Sequence, residues 1–346
     1  MNLSIKKWLY LIILSFIWGS SYILIKKGLI GLNPLQLGSL RIIVTTLILF
    51  IFGWSKLGKI PKDSWKWIAL TGYFGTFFPT FLFAYAETAI DSSVAAVLNG
   101  MTPLFTLLIG ISFFRSELKL KKLFGILIGF GGTLVLVSNE FTINNGPKSW
   151  YSFLVVLAAF CYAINVNLIK YKLEGISALA IALGNFIAIL FPAIIVLIFS
   201  NFPLQEVFTG EKVSISMGYV FILAFFGTAL AKVMFNDLVA ISSPVFSISI
   251  TYLLPIVAIL WGVLDNEIFT FIQWIGCAFI LLGVYLVTEN KRFKSKKQQD
   301  NNNKIYEKVF ETQIEKSEFY ECYDNRQMFS RFKADICADI NHKYSN

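Results

Sequence analysis

Arg41 sits inside the apolar stretch LRIIVTTLILF, and Lys232 inside AFFGTALAKVMF, two cations written where their neighbours are hydrocarbon. At the middle of a bilayer-spanning helix such a charge costs roughly 2.5–3.5 kcal/mol on insertion scales, so it must snorkel to an interface, pair, or face a polar cavity. Arg41 reads as a cavity-lining group or a snorkelling anchor. Lys232 reads as an anchor or as the counter-ion of a bound carboxylate. Asn99, Asn165 and Asn185 raise the same question with amides, which bond a neighbouring helix or a solute. Asn185 stands in the second half of the chain at the place Arg41 occupies in the first, keeping the polarity and losing the charge.

Aromatic residues add a second kind of surface. Trp8, Trp54, Trp65, Trp67, Trp150 and Trp274 fall at the ends of apolar runs, where indoles form an interfacial belt. Trp18 falls at mid-depth. With Tyr22 one turn later and Tyr252 far along the chain, it can offer ring faces to an apolar or cationic solute, or pack against a neighbouring helix. Pro103 and Pro255 each remove a backbone donor, and the freed carbonyl is tolerable only beside protein or water. They are candidate hinges, with static kinks as the alternative, and Pro79 is a further bend.

These side chains can bind and orient, but they do not make a catalytic set. There is no HExxH, no GxSxG and no His inside an apolar run, the one His being His342. Cys161 and Cys277 lie within runs and Cys322 and Cys337 beyond them, without CxxC or other metal-ligand spacing. No cofactor and no metal is expected. Carboxylates are nearly missing from the runs: Asp237 and Glu87 lie near ends, and Glu117 and Glu267 just past them, so an acidic proton relay is hard to find.

The elements that must hold these groups follow from composition. The 346 residues are 56% hydrophobic and 15% charged, with a mean hydropathy of +0.67, outside the range of soluble domains. About 20 apolar residues cross a hydrocarbon core as helix. Ten such runs can be marked, at 7–27, 35–54, 66–86, 91–113, 121–138, 149–170, 176–200, 215–239, 243–264 and 271–288. The first follows Lys6 and Lys7, lacks a small-residue cleavage site and leads at once into another, so it reads as a retained helix. Lys and Arg resist translocation, and most of them flank alternate connections, at Lys6, Lys56, Arg115, Lys170 and Lys291 among others, which places both termini in the cytoplasm. The net charge of +9 then faces anionic headgroups and requires no nucleic acid. Residues 291–346 are polar and charged and read as a cytoplasmic tail. The sequence sets no oligomeric state.

The chain also repeats itself. SSVAAVLNGMTPLFTLLIGISFFRSE at 92–117 is echoed by SSPVFSISITYLLPIVAILWGVLDNE at 242–267, LIKKGL at 24–29 by LIKYKL at 168–173, and FGT at 74–76 by FGT at 226–228. Five runs per half is an odd number, so the second copy must enter the membrane inverted. The echo supports this, since Lys119, Lys121 and Lys122 follow Glu117 whereas Glu267 is followed by apolar residues and Thr270. Gly125 and Gly129, Ser15 and Gly19, and Gly276 and Gly283 have the spacing of close helix contacts.

FIWGSSYILIKKGL, NPLQLGSLR, TPLFTLLIGISFFRSELKLKKLFGILIGFGGTLVLV and LLPIVAILWGVLDNEIFTFIQWIGCAFILLGVYLV resemble the two EamA domains of the drug/metabolite transporter superfamily. The resemblance covers residues 1–290 and departs from the family around Cys161, Tyr162 and Ala163. It implies an all-α integral membrane protein of ten transmembrane helices in two inverted five-helix repeats, 1–145 and 146–290, followed by the tail. It further implies a carrier in a bacterial inner membrane, exporting an amino acid or related small molecule by alternating access, and raises the expectation that Arg41 lines its path. The bilayer and a small-molecule substrate are the partners it implies. A drug or nucleotide-sugar carrier of the same fold is the alternative, which a more basic cavity would favour. An intramembrane enzyme lacks its residues, and a receptor or scaffold would not need the repeat.

Overall fold

The computed structural model describes residues 3–90, 92–116, 120–136, 149–205, 207, 210–264 and 271–288. The expectations placed on Glu117, Lys119, Glu267, Cys322, Cys337, His342 and the tail 291–346 lie outside the described residues. Among the described residues there are helices and no strand.

The first half gives α1 (Leu3–Gly28), α2 (Pro34–Leu57), α3 (Lys62–Ala86), α4 (Ser92–Asn99), α5 (Thr102–Phe114) and α6 (Leu120–Leu136). The second gives α7 (Ser149–Lys172), α8 (Ala178–Phe199), α9 (Glu211–Ile241), α10 (Pro244–Ile248), α11 (Ile250–Leu264) and α12 (Phe271–Thr288). Local sequence explains the starts. Asn33 caps α2 by accepting from the Gln36 amide while the Gln36 side chain accepts from Asn33, and Pro34 occupies a position whose N–H has no helical partner. Ser177 caps α8 in the same sense, accepting from Ala180. Among the described residues, seven helices, with α4 and α5 taken together as Ala95–Phe114, are long and apolar enough to cross a membrane, and apolar helices at 244–257 and 274–287 are shorter.

The surface is inverted relative to a water-soluble protein. Phe52, Phe113 and Phe199 are 69%, 79% and 80% exposed, while Asn167, Asn185, Asn236, Ser39 and Thr45 are buried. Water would not tolerate so much exposed apolar surface, whereas lipid favours it and drives amides and hydroxyls inward to find partners.

The fourth run corrects the expectation for Pro103. It is two helices meeting at Gly100 and Met101, and Pro103 is in the first turn of α5, where its missing N–H breaks no bond. The helix is interrupted ahead of the proline, not at it. In the second half the interruption falls at Ser249, between α10 and α11, and Pro255 lies inside α11 beyond it.

Partners across the molecule are exchanged between halves. α2 packs on α8 and α6 on α12, while α1 packs on α9 and α11 as α7 packs on α3 and α5. Glycines let α6 and α12 approach closely: a Cβ at Gly283 would stand 2.6 Å from the Gly129 Cα, and one at Gly132 2.9 Å from the Gly276 carbonyl. Helix ends sort into two groups. At one, Gly31 donates to Ser216, and Asn33 and Gln36 to Ser200. At the other, Lys6 pairs with Asp237 at 2.6 Å, Lys170 reaches the Val239 and Ala240 carbonyls, and Lys172 lies over Trp67.

Candidate functional site

Two of the long helices are wound more loosely at mid-length. Residues Tyr73–Phe77 of α3 and Leu223–Leu230 of α9 form π-helix, in which the Phe78 amide reaches the Tyr73 carbonyl and the Ala231 amide the Phe226 carbonyl, five residues back. Both segments contain the FGT triplet. The change of winding leaves carbonyls without their ordinary helical donors. Pro79 has no N–H to give to Gly75 four residues earlier. The Ala231 amide goes to Phe226 and Thr228, leaving the Gly227 carbonyl.

Side chains from elsewhere take up these acceptors. Lys232 Nζ donates to the Gly75 carbonyl at 3.0 Å, and Trp18 Nε1 to the Gly227 carbonyl at 2.9 Å. Arg41 Nε donates to Thr228 Oγ1 at 2.7 Å, and Thr228 in turn donates to the Leu223 carbonyl at 2.9 Å. Each half therefore sends a cation to the loosened turn of the other. Both cations are engaged within the helix bundle: Lys232 is 6% exposed and Arg41 is hydrogen-bonded to Thr228.

A cavity of about 100 Å³ opens between these groups. Trp18 and Tyr22 of α1, Arg41 of α2, Asn99 of α4, Asn165 of α7 and Lys232 of α9 line it together. Tyr22 Oη accepts from Asn99 Nδ2 at 3.1 Å, and the Asn99 side chain accepts from Thr102 at 2.9 Å, which ties the aromatic wall to the interruption before α5. Asn165 lies flush on Gly75, where a Cβ would collide with its amide. Its Oδ1 and the Thr76 hydroxyl are buried without a hydrogen-bond partner among the described residues.

Two expected lining residues are placed elsewhere. Tyr252 is fully buried, donates from Oη to the Ile126 carbonyl at 3.0 Å and lays its ring against Gly129, on the side of α11 that faces α6. Asn185 packs α8 against α3, its amide 2.8 Å from Thr71 Oγ1 and, with nitrogen toward α3, donating to the Ile68 carbonyl at 2.8 Å. Neither belongs to the lining. Mid-depth polarity marks such residues but not the direction in which the helix turns them. The reading of residues one by one passed over Gly75, Thr76, Gly227, Thr228 and Tyr162, all in the lining. The recurring FGT was the signal for the first four, because a triplet repeated at mid-span in both halves marks a shared backbone device.

Such an arrangement can hold a small polar solute, since donors, unpartnered acceptors and aromatic faces all line it. It offers no nucleophile with a base beside it, and the described residues hold no cluster of metal-ligating side chains.

Comparison with known proteins gives concordant results. The model of the EamA-like transporter family matches the chain twice, over residues 6–138 and 149–289. The chain is 28% identical over 286 residues to "Uncharacterized inner membrane transporter YedA" of Escherichia coli K12, covering 80% of this chain and 89% of that one. It is 26% identical over 277 residues to a Salmonella typhimurium protein named "Probable amino-acid metabolite efflux pump", covering 78% and 90%. A protein of known crystal structure shares the fold at a TM-score of 0.64 and 16% identity, covering 81% of this chain and 95% of that one.

Proposed function

Because this chain belongs to the EamA-like transporter family, we propose that it is a secondary transporter exporting an amino acid or related small metabolite across a bacterial inner membrane by alternating access. The observation that carries the reading is the cavity at the crossing of the two loosened helices, where each half supplies the cation that caps the other. In this reading ten helices form two inverted five-helix repeats, 1–145 and 146–290, with both termini cytoplasmic. The exchanged packing between halves, the matching π-helices and interruptions, and the distribution of Lys and Arg support that architecture. Two near-equivalent halves can trade shapes, so that outward-open and inward-open states lie within a few kcal/mol of each other.

The amino-acid reading is supported by the name of the Salmonella typhimurium relative and by the cavity volume of about 100 Å³, below the range usual for drug-sized ligands. The paired cations favour the second reading, a nucleotide-sugar carrier, but the volume weighs against it. Counterflow into proteoliposomes decides between them, with labelled amino acids, nucleoside phosphates and cationic dyes offered in turn. Trans-stimulation by the amino acids is the expected outcome, and trans-stimulation by nucleoside phosphates or dyes alone replaces it with the alternative.

A further inference from the structure

The cavity is electrostatically one-sided. Arg41 and Lys232 both line it and repel each other, and neither forms an ion pair among the described residues. Among the described residues, no carboxylate belongs to the lining. Glu87, whose charge acts on Arg41, lies at the end of α3, is 4% exposed and accepts from Ser92 at 3.2 Å. Burial pushes the Glu87 carboxyl well above the usual carboxylate range, which favours its neutral form and weakens it as a counter-ion.

Two cations at membrane depth without an ion-pair partner are expensive to keep, and the expense is recovered when an anion arrives. The guanidinium also keeps donors for that purpose. Its Nε is spent on Thr228, which leaves the two terminal nitrogens, without an acceptor among the described residues, as a planar fork for a pair of oxygens. Lys232, anchored on Gly75, keeps further N–H donors. Beside Gly75, Asn165 Oδ1 and the Thr76 hydroxyl are buried without partners among the described residues and can take an N–H or O–H from a solute.

Resting on the transport reading above, we infer that the substrate is a small organic anion whose acidic group, a carboxylate or phosphate, binds between Arg41 and Lys232 while a neighbouring amine or hydroxyl donates to Asn165 and Thr76. An organic cation would meet two like charges at the same place, and a neutral amide would leave both cations unneutralised in a site already desolvated. Selection therefore acts on the acid, and the aromatic walls of Trp18, Tyr22 and Tyr162 set only the bulk that can accompany it.

The test is counterflow with the full chain in proteoliposomes, using compounds that share a skeleton and differ in the acid: phenylalanine against phenylalaninamide, lactate against lactamide, glycerol 3-phosphate against glycerol, with ethidium as the cation. Trans-stimulation by at least one acid is expected, with its uncharged or amide partner at least tenfold slower. Which acid succeeds tells carboxylate from phosphate. Arg41→Gln and Lys232→Gln should each lower that flux at least tenfold, and Arg41→Lys should recover part of it, in preparations that keep the wild-type elution profile. Should a variant fail to fold, the acid and amide pairs on the wild-type chain still decide. Equal transport of an amide, or transport of ethidium, overturns the anionic class while leaving the transporter reading intact. No trans-stimulation by any compound overturns the transporter reading and this inference with it.

Discussion

Tyr22 and Tyr252 are the same residue type at similar depth, and the helix rotation beneath each decides what it does. Tyr22 faces the cavity and holds Asn99, while Tyr252 faces α6 and holds the Ile126 carbonyl. Tyr252→Phe should therefore lower stability by about 1 kcal/mol, the usual worth of one buried hydrogen bond, and leave half-saturation for transport unchanged. Thermal unfolding in detergent and a concentration series in proteoliposomes measure the two. A changed half-saturation with unchanged stability would return Tyr252 to the cavity. The sequence alone could say that Arg41 and Lys232 had to find partners, because a charge in hydrocarbon permits little else. It could not say that Lys232 would find a backbone carbonyl in the other half, since that acceptor exists only after Pro79 and the π-turn have freed it.

Among the elements, those that build the site were the least legible. FGT at 74–76 and 226–228 was visible as an echo, but a periodicity of 3.6 residues assumes uniform winding and cannot register a turn that holds one residue more. From the sequence the fourth run is a single apolar stretch in which Pro103 is a candidate hinge or a static kink, because a proline signals its own missing donor and not whether a helix begins just before it. The π-turn makes a sharp demand on α3. Deleting Phe74 should let Tyr73–Phe77 close to ordinary α-helix, since the Phe78 to Tyr73 bond then spans four residues, and draw Gly75 and Thr76 off the cavity wall while Pro79, Thr80 and Phe83 keep their faces. Counterflow should fall about a hundredfold or more while the protein still inserts and elutes as a single species. Retained transport would show the wider turn to be incidental.

At the scale of the whole molecule, the inverted-repeat reading fixes which ends share a compartment. In a background with Cys161, Cys277, Cys322 and Cys337 replaced by serine, cysteines at Lys59 and Glu174 should be labelled by an impermeant maleimide only from the cytoplasmic face, and one at Leu204 only from the opposite face. All three positions are exposed at helix ends. Labelling of Leu204 from the same side as Lys59 would dismantle the proposed topology. The crossing of Lys232 to Gly75 and of Arg41 to Thr228 has a consequence of its own. Each half acts as solvent for the other, supplying the polar contacts that hydrocarbon withholds, so neither is a finished molecule when parted from its twin. Matching one family twice in such a chain is not redundancy, because what one half leaves unsolvated the other reaches.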